Sequence, residues 1–220
     1  MSGEPIVYLG PSLPVEEAER LLAADYRPPV KRGDLPASVG GRLVIIIDGE
    51  FGQNLSVSPK EILKLLDQGA SVIGASSMGA LRAAELHPFG MEGCGWVFEN
   101  YRSGRIVGDD EVALAYSPFD ARPLTIPLVN VRYWLNQLNA AGVIDPPTAR
   151  RLLNRARRIF FAERTPERLE EEFAAVVGEA ELQGVLKIKG GITDIKADDA
   201  RLALTCAASR SITHQQQENL

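Results

Sequence analysis

Apolar residues along this chain fall into short unbroken runs separated by stretches in which they recur every three or four positions. Ile6-Val7-Tyr8-Leu9 stops at Gly10-Pro11, and Leu43-Val44-Ile45-Ile46-Ile47 stops at Asp48. Runs of this kind suit strands covered on both faces, as in a parallel sheet. Residues 71–75 form a third. A helical period follows each run. After the first, Ser12 is placed to cap a helix with Pro14 in its first turn and Val15, Ala18, Leu21 and Leu22 on one face. After the second, Ser58-Pro59-Lys60-Glu61 fits a capping box, with Ile62, Leu63, Leu65 and Leu66 behind it and Gly69 as the stop. After the third, Met78–Leu86 reads as a helix.

Between these elements, residues 26–41 are broken by prolines and glycines and predict a surface excursion. Beyond His87-Pro88, the glycine-rich segment 90–98 predicts a loop entering a short strand. A short helix from Phe98 should close at Gly104, and residues 108–113 read as an exposed acidic turn. The texture changes near Pro118. Residues 128–141, 148–164 and 166–179 have amphipathic helical periods, and a last helix is expected over 194–208. The fold class is therefore α/β: a small parallel sheet of βαβ units in the N-terminal half, followed by a mainly helical subdomain. The expected division is a core over 1–117, a helical subdomain over 118–208 and a disordered tail over 209–220. Right-handed crossovers put every strand C-terminus on one edge of the sheet, where ligands and chemistry collect.

Composition narrows the function classes. A formal charge of -5 argues against non-specific nucleic-acid binding. The five arginines within 148–158 remain a local basic face, solvated or able to dock an acidic protein. The N-terminus lacks a basic segment followed by an apolar one, and no run approaches membrane-spanning length, so a cytoplasmic location without membrane partners is expected. Cys94 and Cys206 fit neither a disulfide scaffold nor a metal spacing, and no metal or cofactor is expected.

The edge residues are Asp48, Lys60, Ser76 and Ser77. Ser77 falls in the first turn of the third helix, where N–H groups and the positive dipole end favour an anion, as an oxyanion hole requires. Gly79 leaves the backbone open to a substrate. The run Gly74-x-x-Ser77-x-Gly79 is close to the nucleophile elbow of α/β-hydrolases without matching it. A serine nucleophile needs a base. His87 lies about 15 Å along the helix by its rise, and His214 lies in the expected tail, so no Ser-His-Asp triad is expected. Lys60, at the positive end of its own helix, is the remaining candidate. An ordinary solvated lysine and helix-capping serines are the plain alternatives. Asp48 either orients Lys60, binds substrate or simply ends its strand in solvent. Arg82 either pairs with Glu85 one turn on or steers a carboxyl-like terminus. A nucleotide module is disfavoured, because neither a GxGxxG nor a Walker pattern follows the first strand.

These same residues carry a resemblance. Lys60-Glu61-Ile62-Leu63, the run GASSMGALRAAEL over 74–86, Phe89-Gly90-Met91-x-Gly93-x-Gly95 and Asp110-Glu111-Val112-Ala113 resemble the TfuA-like family, as do Tyr8-Leu9-Gly10-Pro11-Ser12-Leu13 and Arg122-Pro123-Leu124. The resemblance covers roughly residues 6–165. It implies a protein working beside a YcaO enzyme in peptide backbone thioamidation, a step in the biosynthesis of ribosomally made, post-translationally modified peptides. Its role there is to hydrolyse the C-terminal thiocarboxylate of a ThiS-like sulfur carrier and to help YcaO engage its peptide substrate. The family's Ser-Lys pair maps onto Ser77 and Lys60, with Ser76 left a capping or hydrogen-bonding role. ATP belongs to YcaO, so no cofactor is implied. The carrier's diglycine tail would fit a cleft near Gly79, Gly90 and Gly93. Cys94 is the alternative sulfur handler, and a non-catalytic adaptor bridging YcaO, peptide and carrier is the alternative function.

Overall fold

The computed structural model describes residues 3–52, 55–189 and 191–218, with side chains described through 187 and from 191 to 210. Two compact units emerge. One joins Met1–Val107 to Lys196–Leu220, and the other is Gly108–Ile195. The first boundary thus lies near 107, not 117, and the last helix returns to the first unit.

The first unit is built on a five-stranded sheet of β1 (Ile6–Tyr8), β2 (Asp25–Arg27), β3 (Val44–Ile46), β4 (Val72–Ala75) and β5 (Glu92–Cys94). All neighbours pair parallel, in the order β2-β1-β3-β4-β5. Helix α1 (Val15–Leu21) links β1 to β2, α2 (Pro59–Asp67) links β3 to β4, and α3 (Met78–Leu86) links β4 to β5, while α4 (Gly95–Arg102) follows β5. The strand order reverses direction between β1 and β3, the position at which doubly wound sheets open a crevice beyond their strand C-termini.

The apolar runs explain the layers. Alternate residues Val7, Leu9, Leu43, Ile45, Ile47 and Ile73 form one face of the sheet and are covered by Ala18 and Leu22 and by Ala197, Ala200, Leu204 and Ala207 of α9 (Ile195–Glu218). Helices α2 and α3 pack on β4 and on each other. Strand β2 was not expected. It is three residues long, half-polar and stopped at once by Pro28-Pro29, so no period marks it. Helix α9 continues through residues 209–218, where a disordered tail is expected from sequence; residues 219–220 lie outside the described residues.

The second unit packs α5 (Leu128–Ala140), α6 (Pro146–Arg158), α7 (Pro166–Val177) and α8 (Glu179–Lys189) around Leu128, Trp134, Leu138, Leu152, Leu169, Phe173 and Leu182. Arg164 is fully buried there. Its guanidinium donates to the carbonyls of Ala156, Ile159 and Ile126 at 3.1, 2.9 and 3.4 Å, fastening the turn after α6 to the entry of α5. The expected acidic turn is a short 3-10 segment, Asp109–Glu111, whose last residue is buried, not exposed. Glu111 accepts from Arg132 and Arg157, so part of the α6 basic face is neutralised internally. Among the described residues no helix is long and apolar enough to cross a membrane.

Candidate functional site

Four of the residues singled out from sequence stand at the C-terminal edge of the sheet. Asp48 ends the run that contains β3, Ser76 follows β4 directly, Ser77 caps α3 and Lys60 is the second residue of α2.

Asp48 is neither a solvated strand end nor a partner of Lys60. It is 1% exposed, and its carboxylate accepts from Gly10 N at 2.9 Å, Ser12 N at 3.0 Å and Ser12 Oγ at 2.7 Å. A carboxylate can only accept, so the Ser12 hydroxyl donates to it and receives a further bond from Ser76 Oγ at 2.9 Å. The chain Ser76 to Ser12 to Asp48 sits at the switch point between β1 and β3. Loop N–H groups that would meet an anionic ligand there are taken by the protein's own carboxylate. Ser12 consequently does not cap α1, whose N-cap is Pro14 without a side-chain bond. Its role is missed by local pattern, because a serine four residues after a strand and just before a helical period reads as a cap. The edge argument that groups Asp48 with Ser76 would also have included Ser12.

The two serines are divided in their duties. Ser76 is completely buried and has a left-handed backbone, φ 66, which an L-residue adopts at a cost; its hydroxyl is committed to Ser12. Ser77 turns the chain into α3 as its N-cap, yet its hydroxyl makes no capping bond and has no hydrogen-bond partner among the described residues. Ser77 is 6% exposed. Strand, sharp turn, serine and helix follow one another as they do at a nucleophile elbow.

The first turn of α3 offers fewer free donors than expected. Ser77 N donates to Ala75 O at 2.7 Å, Gly79 N to Ile47 O at 3.2 Å, and Ala80 N to Ser77 O at 3.0 Å. Among the described residues, that leaves Met78 N–H uncommitted in this turn.

The start of α2 is fixed from several sides. Ser58 and Glu61 form the expected capping box, and the second Glu61 oxygen accepts from Gly33 N at 2.6 Å. Arg82, on the second turn of α3, donates from Nε to Val57 O at 2.9 Å and from a terminal nitrogen to Glu85 at 2.7 Å. Arg82 thereby ties α3 to the residue before the α2 cap and is engaged within the fold, not held out to a substrate terminus. Lys60 is exposed at this anchored helix start, and its ammonium has neither an ion pair nor a hydrogen bond among the described residues. Lys60 and Ser77 thus stand at the starts of α2 and α3, helices that pack on one another, without a direct hydrogen bond between the two side chains among the described residues.

The glycines expected to line a cleft serve the fold. A Cβ on Gly79 would stand 1.7 Å from Ile46 O, and one on Gly74 would stand 2.1 Å from Gly79 O, so this pair lets α3 cross the sheet edge closely. A Cβ on Gly93 would meet the Phe98 ring at 2.2 Å. Gly90 is exposed, with φ 97, and closes the 3-10 turn after α3. Cys94 is half-buried, and burial pushes its thiol up to about 12, which keeps it from being the thiolate that meets an incoming sulfur substrate first. Among the described residues no group of three or more His, Cys, Asp or Glu side chains could hold a metal ion.

A family model described as TfuA-like protein matches residues 48–165, a span that includes Asp48, Lys60, the paired serines and Arg82. No curated protein matches the chain.

Proposed function

This chain belongs to the TfuA-like family, which is associated with YcaO partnership, and on that footing we propose that it is a hydrolase-like accessory protein of YcaO-dependent peptide thioamidation. Its substrate is the C-terminal thiocarboxylate of a ThiS-like sulfur carrier, and its product is sulfide for YcaO. The observation that carries this reading is the uncommitted Ser77 hydroxyl at the head of α3, beside a Ser76 whose own hydroxyl is already bound.

In the proposed reaction Ser77 Oγ attacks the thiocarboxylate carbon. Lys60 accepts the hydroxyl proton and returns it to sulfur, so that hydrosulfide departs as the acyl-serine forms. Met78 N–H and the positive end of α3 face the developing oxyanion. Water deprotonated by Lys60 then cleaves the ester. Arg82 and Glu61 support the reaction indirectly by fixing the start of α2 against α3.

The test is sulfide release from a thiocarboxylated carrier protein. Ser77→Ala and Lys60→Ala should each abolish it with the circular dichroism spectrum unchanged, and wild-type rates in both would refute the chemistry. An adaptor reading is favoured by one observation: Arg150 and Arg158 are exposed on α6 and unpaired among the described residues, as a docking face for an acidic partner would be. If thioamidation and YcaO capture both survive Ser77→Ala but fail in an Arg150→Glu, Arg158→Glu variant, the adaptor reading replaces the enzymatic one.

A further inference from the structure

The two cysteines, far apart in sequence, are brought together by the way α9 crosses β5. Two sets of contacts fix that crossing. At one end, Asp199 accepts from Trp96 N and Val97 N, both at 2.8 Å, capping α4 from outside its own segment. At the other, Arg210 grips Glu92 with bonds of 2.9 and 2.6 Å. Helix α9 therefore runs past β5 in the opposite direction, and Cys94 lies between the two points on the strand side.

Cys206 lies between them on the helix side. At about 3.6 residues per turn, positions 206 and 210 both point within about 20° of position 199, so the three share one stripe of α9. The strand supplies the matching orientation. Side chains alternate along a strand, so Cys94 faces the same side as Glu92, while Gly93 faces away toward the Phe98 ring. Cys94 packs against the cluster that contains Ala197, Ala200, Leu204 and Ala207 of α9, and its three alanines allow a close approach of helix to sheet. The electrostatics agree with this placement, since Cys206 and Asp199 are among the groups that raise the Cys94 thiol.

We propose that Cys94 and Cys206 form a thiol–disulfide modification site that a low-molecular-weight disulfide oxidises to an internal bridge, fastening α9 across the edge strand β5. Exposure sets the order of events. Cys206 is exposed, and its thiolate attacks the small disulfide, giving a mixed disulfide and one released thiol. Half-buried Cys94 then gives up its proton to solvent, and its sulfur attacks the Cys206 sulfur, expelling the second small thiol. Two cysteine thiols lose two electrons and two protons, and the reagent is reduced to two thiols. This site is independent of the Ser77 chemistry.

The experiment treats the full-length chain with oxidised glutathione and reads intact mass and digested peptides. The wild type should end with the mass of two hydrogens lost and with the Cys94 and Cys206 peptides joined. Cys94→Ser should stop at a glutathione adduct on Cys206, and Cys206→Ser should resist modification. The urea midpoint should rise on oxidation in the wild type alone. A wild type that stops at the Cys206 adduct, stays reduced, or links two copies through Cys206 would overturn the proposal.

Discussion

Replacing Asp48 tests how the sheet edge is held. Asp48→Ala leaves Gly10 N–H, Ser12 N–H and the Ser12 hydroxyl buried without an acceptor, and it breaks the link that holds Ser76 in its left-handed turn. Each stranded group costs about 1–3 kcal/mol, so the expected loss for the three is about 3–9 kcal/mol. That is a large part of the roughly 5–15 kcal/mol that keeps a domain folded. Asp48→Asn should behave differently. Its carbonyl oxygen takes over the Gly10 and Ser12 amides, and its amide donates to Ser12 Oγ, which reverses the hydroxyl chain so that Ser12 donates to Ser76. Both backbone amides and the Ser12 hydroxyl stay paired, and only the Ser76 hydroxyl proton and one amide hydrogen lose an acceptor, so the loss falls to about 1–3 kcal/mol. Trp96 belongs to the first unit and Trp134 to the second, so urea unfolding followed by fluorescence in a Trp134→Phe background isolates the unit in question. If the Ala and Asn variants lose the same small amount, under about 1 kcal/mol, the network is not what holds this edge.

Other perturbations have separate outcomes. Gly79→Ala drives a Cβ into Ile46 O and should cost about 3 kcal/mol or prevent folding, measured by urea midpoint. Asp199 is pushed up to about 6 by burial, against an ordinary value near 3.8. The folded state therefore holds this proton more tightly than the unfolded state, and stability should fall by about 3 kcal/mol as pH rises from about 3 to 7 and then level off. Asp199→Asn should flatten that stretch of a midpoint-against-pH series. Glu111→Gln removes the buried negative charge that Arg132 and Arg157 pair with and should cost about 2 kcal/mol or more, whereas Arg157→Ala, at a half-exposed partner, should cost under about 1 kcal/mol in the same assay.

What was legible in the sequence was whatever local periodicity and capping dictate. The continuous apolar runs marked β1, β3 and β4, and Ser58-Pro59-Lys60-Glu61 announced the start of α2 to the residue. Strand β2 was hidden because three half-polar residues carry no period, and its pairing depends on β1 being present. Helix α8 was missed because α7 and α8 meet at Gly178 with no loop between them. The site divides in the same way. Edge logic brought Asp48, Lys60, Ser76 and Ser77 to one rim, but which serine is bound and which is free depends on Ser12, whose partner lies 36 residues away. Gly79 and Gly93 read as openings for a ligand because a sequence cannot say whether another backbone or ring already fills the space.

The central claim is that Ser77 carries the acyl group of the sulfur carrier. Peptide mapping of the chain quenched during turnover with a thiocarboxylated ThiS-like carrier tests it directly. The account predicts the carrier's C-terminal acyl group on Ser77 and no adduct in Ser77→Ala. Sulfide released at full rate by Ser77→Ala, or an acyl adduct on another residue, would contradict it.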